Sequence, residues 1–172
     1  MVRKTQSVVT LNAKLSSVNI KTVKTDGSVV IAEGQPFKLS STGYAATAES
    51  NSPDTNGVVF LNFTASNRTD VTFLQGDPSD STAPTLGVEG GGLAGIVGNG
   101  CDIGLPAVCW SASTLPTVGQ LVRIDAGTGL FRGVTAGAST ADDAFYGMVY
   151  QVTNGRAFFL FHSTPFVLQA TG

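Results

Sequence analysis

The chain has 172 residues, 42% hydrophobic and only 13% charged, about half the charged share usual for soluble proteins. Glycine takes 21 positions, Ser and Thr are abundant, and Glu and Met are few. These proportions exclude a coiled coil, a helix bundle and a charge-rich soluble enzyme, and they favour an all-β chain with many turns. The formal net charge of −2 hides an asymmetry. Residues 1–25 carry Arg3, Lys4, Lys14, Lys21 and Lys24 and no acid, whereas residues 26–172 carry all 12 acidic residues and the remaining basic ones. The expected organisation is a basic N-terminal arm, 1–25, on a single acidic all-β body, 26–172.

In chain order, residues 5–25 lack Gly and Pro and are dominated by β-branched residues, Ser and Thr, which fits an extended arm or an edge strand better than a helix. Asp26-Gly27 marks a turn before the apolar run Val29–Ala32. From Gly34 to Glu49 the pattern predicts a short strand, a Ser-Ser-Thr-Gly turn and a second strand opening at Tyr44. Residues 50–57 read as a loop. Val58–Thr64 and Val71–Gln75 are expected to form a hairpin across a polar link. The segment 87–100 holds seven of the 21 glycines; a helix is excluded there, and kinked strands or a closely packed loop are expected.

Near the C-terminus, Phe145–Val152 and Ala157–His162 flank Asn154-Gly155, which predicts a hairpin with a type I′ turn. That register sets Tyr150 opposite Phe159, Met148 opposite Phe161 and Val149 opposite Leu160. One face would then carry Tyr146, Met148, Tyr150, Val152, Phe159 and Phe161, and the other Phe145, Val149, Phe158, Leu160 and His162. Both faces are apolar, so one can serve the core and the second needs a covering layer or subunit. An internal echo is also present. Gly34-Gln35 followed by Phe37-Lys38-Leu39 and Thr42-Gly43 parallels Gly119-Gln120 followed by Val122-Arg123-Ile124 and Thr128-Gly129. It reads either as coincidence between two hairpins or as two related half-units, about 28–75 and 115–168, bridged by the glycine-rich segment.

Candidate chemistry is thin. Gly90-x-Gly92-x-x-Gly95 has dinucleotide spacing, but the glycines and Pro106 that follow leave no helix to hold a pyrophosphate. His162 is the only histidine, and nothing in the sequence brings it to Cys101 or Cys109. The two cysteines read as buried thiols, a local disulfide or, least, metal ligands, since zinc-type spacing is absent. Asp142-Asp143 suits a solvated loop, and Asn62-Phe-Thr64 and Asn67-Arg-Thr69 match the glycosylation pattern by chance as readily as by function. No catalytic, cofactor or metal site is therefore assigned, and an enzyme is not expected. The longest apolar run, Ala157–Phe161, falls far short of the roughly eighteen residues of a membrane span, and no secretory signal is readable. The arm's charges are too dilute for a nucleic-acid stripe, and the acidic body would repel phosphates. The arm reads equally as a device for docking on an acidic protein surface and as a solvated edge strand.

The Gly-Gln-Pro-Phe-Lys-Leu and Gly-Gln-Leu-Val-Arg-Ile runs, the return Thr-Gly-Leu-Phe-Arg-Gly-Val-Thr and the strand Phe-Tyr-Gly-Met-Val-Tyr resemble the small all-β decoration (cement, or head-stabilising) proteins of tailed bacteriophages. The resemblance spans roughly residues 34–49 and 119–163 and is one of texture; it transfers no family site residues, and segment 87–100 and the cysteine pair depart from it. It implies an antiparallel β-barrel or β-sandwich with an extended N-terminal arm. It also implies a virion protein, assembled in the host cytoplasm, that binds the outer surface of a capsid, often as a homotrimer, and bridges neighbouring capsid subunits. The partners expected on that reading are the major capsid protein and further copies of this chain, with no cofactor, nucleic acid or membrane. Arg3, Lys4, Lys14, Lys21 and Lys24 are the candidate docking arm, and Tyr146, Met148, Tyr150, Phe159 and Phe161, or the reverse face of the same hairpin, the candidate subunit contact. The alternatives are a tail-tube or head-fibre protein, or a carbohydrate-binding or adhesin-like sandwich using Tyr44 or Trp110 as a sugar platform.

Overall fold

A computed structural model describes residues 9–12, 18–24, 31–48, 57–63, 92–137 and 143–168. Among them the chain is all-β, with antiparallel sheets and two short 3-10 turns. The strands are β1 (Thr10–Leu11), β2 (Asn19–Lys24), β3 (Pro36–Leu39), β4 (Ala45–Thr47), β5 (Val59–Asn62), β6 (Gly92–Val97) and β7 (Asn99–Pro106). After the turns Ala107–Cys109 and Ser111–Ser113 come β8 (Leu121–Ile124), β9 (Phe131–Val134), β10 (Ala144–Phe145), β11 (Gly147–Thr153), β12 (Arg156–His162) and β13 (Phe166–Val167). One sheet has six strands in the order β1-β7-β12-β11-β8-β9, a second has five in the order β2-β6-β5-β3-β4, and β10 pairs with β13. Neither large sheet closes into a barrel, and the arrangement is sandwich-like.

The main core joins both large sheets: Val59, Leu61 and Ile96 pack with Ile103, Leu105, Trp110, Phe131, Phe159 and Phe161. Its centre is aromatic. Phe159 meets Trp110 and Phe131 edge-on, with centroids 5.6 and 5.4 Å apart. Such buried rings each contribute about 1.5–3 kcal/mol by transfer from water. A second, smaller core of Val23, Ile31, Phe37, Ala45, Phe60 and Leu93 belongs to the five-stranded sheet. Successive residues of β5 alternate between the two cores: Val59 and Leu61 face the main one, Phe60 the other, as the two-residue period of a strand requires. The inner strand β5 is thus buried on both faces, and the two edge strands of its sheet, β2 and β4, each place a residue in the second core.

The expected hairpin between Gly34 and Glu49 is β3–β4, with Gly43 at φ +82° in its turn. The expected hairpin of Val58–Thr64 with Val71–Gln75 is not formed. Both edges of β5 are occupied, by β3 and β6, and residues 71–75 lie outside the described residues. The glycine-rich segment is more than a bridge: β6 runs between β2 and β5 at full pairing, and β7 crosses to the other sheet and pairs with β1 and β12. Where the dinucleotide motif would need a helix N-terminus, Gly92–Val97 is a strand. The two halves of the internal echo share a strand order, β4-β3-β5-β6 in one sheet and β9-β8-β11-β12 in the other.

The β11–β12 hairpin turns at Asn154 and Gly155, both at positive φ (50° and 70°), as a type I′ turn demands. Thr153 pairs with Arg156 and Val152 with Ala157 in the expected register, but the register shifts between Val149 and Gln151, so Val149 sits opposite Phe159. The expected partners, Tyr150 for Phe159 and Met148 for Phe161, are overturned by this bulge, which inserts one residue into β11 and exchanges the faces beyond it.

Candidate functional site

The bulge decides which side chains reach the surface. Val149, Ala157, Phe159 and Phe161 point into the main core, as does Tyr146, only 1% exposed. Met148 (52% exposed), Tyr150 (39%) and Leu160 (45%) stand outside. The candidate contact Tyr146, Met148, Tyr150, Phe159 and Phe161 is therefore split. Three members are core residues, and two remain on an outer face that also holds Leu160, while Val152, paired with Ala157, lies on the inner side near the hairpin turn. Leu160 had been placed on the opposite side of the hairpin by the uninterrupted register.

A glycine makes room on this outer face. Phe158 lies over Gly104 of the neighbouring strand, and a Cβ at residue 104 would overlap the Phe158 ring. Phe158 is thereby laid down to 8% exposure, extending the apolar surface from β12 towards β7. The far border is polar. The Tyr150 hydroxyl donates to Asp102 Oδ1 (2.5 Å) and accepts from Asn12 Nδ2 (3.3 Å), while the Asn12 amide donates to the Asp102 carbonyl (3.1 Å). Partial burial and then the Asp102 carboxylate push the Tyr150 phenol above its ordinary value, Asn12 opposing. The phenol so held is an oriented polar anchor beside bare aliphatic side chains, a composition suited to protein contact.

Of the basic arm, Lys21 and Lys24 are exposed on β2, and Arg3, Lys4 and Lys14 lie outside the described residues. The described parts of 1–25 are edge strands, β1 in one sheet and β2 in the other, so that at these positions the edge-strand reading applies. Lys24 also borders a shallow groove of about 390 Å³ with Thr22, Val23, Leu39, Thr42, Gly43 and Tyr44.

The remaining polar candidates have structural roles. Cys109 is buried, its Sγ–H donating to the Glu33 carbonyl at 3.6 Å. Burial, and after it the charge of Glu33, push the thiol up to about 12 against the pull of Arg156, which suits neither a nucleophile nor an easily loaded metal ligand. Cys101, half-buried, is likewise a free thiol, raised by burial, and packs on the main core opposite Phe161. His162 stands edge-on to Phe166 at 5.9 Å. Among the described residues no three His, Cys, Asp or Glu side chains gather as metal ligands. Asp143 is not a solvated loop residue: it holds Arg123 at 2.7 Å in a partly buried ion pair. Asn62 is fully buried, donating through Nδ2 to the Ile31 and Ala32 carbonyls at 2.9 and 3.0 Å, so its glycosylation pattern is incidental. Trp110 is 1% exposed with its indole N–H on the Leu105 carbonyl, which removes it as a sugar platform; Tyr44 is exposed. No family model matches this chain, and no curated protein matches it in sequence.

Proposed function

We propose that this chain is a structural protein of a virion that binds the outer surface of the capsid, associates with its own copies, and stabilises the shell by bridging neighbouring capsid subunits. The observation that carries the reading is the bare outer face of the six-stranded sheet. Met148 and Tyr150 on β11 and Leu160 on β12 lie on this face and are all at least 39% exposed. Antiparallel sheets commonly solvate one face, but with polar residues; a contiguous apolar one marks an interaction surface. The role is mechanical: apolar area covered at each contact adds cohesion to the shell at roughly 25 cal/mol per Å² before association costs. On this reading the apolar face makes the contact between copies, in a homotrimer, and the lysine-bearing edge Lys21 and Lys24 takes part in docking on the shell, whose surface there would be acidic.

The test is binding of purified protein to shells that lack it. Saturation at a fixed ratio to the capsid subunit, with shells that then withstand a higher temperature, is the expected result. Absence of binding at saturating protein would remove the proposal.

A further inference from the structure

The five-stranded sheet is curled so far that its two edges approach one another. Val23 of edge strand β2 and Ala45 of edge strand β4 sit in the same small core, with Phe37, Phe60 and Leu93 beneath them. Above this core lies the groove of about 390 Å³, with Thr22, Val23 and Lys24 on one wall and Leu39, Thr42, Gly43 and Tyr44 on the other. Among the described residues β2 pairs with β6 alone and β4 with β3 alone. The groove is thus a slot between edge strand β2, whose outer side is unpaired among the described residues, and the β3–β4 turn.

We propose that this slot takes an acidic extended peptide segment of a partner protein, which adds as a strand to the outer edge of β2. Three features select that occupant. An open edge offers main-chain N–H and C=O groups at the spacing of a β-strand, the chemistry of strand addition. The slot's floor and wall are apolar at Val23, Leu39 and Tyr44, of which Leu39 and Tyr44 are 45% and 38% exposed, so alternate side chains of the incoming strand can be buried. The charge of the lining is Lys24 alone, and exposed Lys21 lies on the same strand. Lysines on an edge deter pairing with neutral or basic strands, and the same charges admit one that brings carboxylates; the edge discriminates as well as binds. A glycan is less well served, because the lining holds no carboxylate or carboxamide to share its hydroxyls.

This inference deepens the docking role given above to Lys21 and Lys24, and its test is independent of any shell. A short synthetic peptide alternating Glu with Val is titrated into the isotope-labelled full chain, with a Lys/Val peptide as control. The expected result is saturable binding of the acidic peptide alone, with the amide shifts concentrated in 19–24 and 39–45. Binding should fall at least about tenfold with Lys21→Glu and Lys24→Glu combined and with rising salt. A Glu/Val peptide N-methylated at alternate residues should bind more weakly, as main-chain pairing requires. Leu39→Ser, on the wall facing Lys24, is a second variant expected to weaken binding without a change of charge. No binding, binding unchanged in both variants, or binding of an acidic oligosaccharide at Tyr44 in place of the peptide would overturn the inference. Peptide binding without shell binding would uphold it and count against the capsid role alone.

Discussion

The two large sheets use apolar residues in opposite ways. In the five-stranded sheet the inner strands are covered on both faces, one by the main core and the other by the small core around Phe37 and Phe60, and what remains for solvent is the lysine-bearing edge β2 and the β3–β4 turn. In the six-stranded sheet the inner face is covered, and the outer one leaves Met148, Tyr150 and Leu160 in water. Both sheets share a strand order over four strands, so the difference comes from side chains and curvature, not from connectivity.

Substitutions on the two sides of β11–β12 sharpen that contrast. The largest effect is expected inside: Phe159→Ala removes the ring that touches Trp110 and Phe131 and should cost about 3–5 kcal/mol in denaturant unfolding. Gly104→Ala drives a methyl group into Phe158. A loss of about 1–3 kcal/mol is expected, and Phe158→Ala in the same chain should recover part of it, since the overlap is then gone. A double-mutant cycle read by thermal unfolding checks this.

A smaller effect, confined to alkaline solution, comes from Cys109. Its thiol is held near 12 in the folded chain against an ordinary value of 9.0. Below pH 9 both folded and unfolded states keep the proton and stability is unaffected. As pH rises from 9 towards 12 the unfolded chain loses the proton first, so stability falls. Cys109→Ala should lack this part of the alkaline decline, as melting temperatures of the two proteins across that range would show. In the folded wild type at neutral pH, Cys109 should also resist alkylation until the chain is unfolded. The smallest effect on stability is expected on the outer face, where Met148→Gln or Leu160→Gln should each change unfolding by no more than about 0.5 kcal/mol.

The legible parts of the fold were local. Asn154-Gly155 dictated its turn because two adjacent positive φ values favour that pair, and the β3–β4 and β8–β9 hairpins followed from turn residues between short apolar runs. What depended on distant partners was not legible. The bulge between Val149 and Gln151 comes from fitting β11 between β8 and β12, and no residue within it announces an extra position. It parted Met148 and Tyr150 from Phe159 and Phe161, setting Val149 beside Phe159 in the core and leaving Met148 and Tyr150 outside with Leu160. In the glycine-rich segment, where kinked strands and a packed loop were both open, strand β6 forms because pairing on both sides and burial of Leu93 and Ile96 outweigh weak propensity. The polar border of the candidate site joins Asn12, Asp102 and Tyr150, residues far apart in sequence with no motif among them.

The central claim, that the outer face of β11–β12 is a contact surface and not merely an apolar one, is tested most directly by mass in solution. Analytical ultracentrifugation over a concentration series should show the wild type as an oligomer, a trimer on the capsid reading. The chain carrying both Met148→Gln and Leu160→Gln should be a monomer with a melting temperature close to that of the wild type. A wild type that stays monomeric at every concentration, or an oligomer that the two substitutions leave intact, would contradict the account.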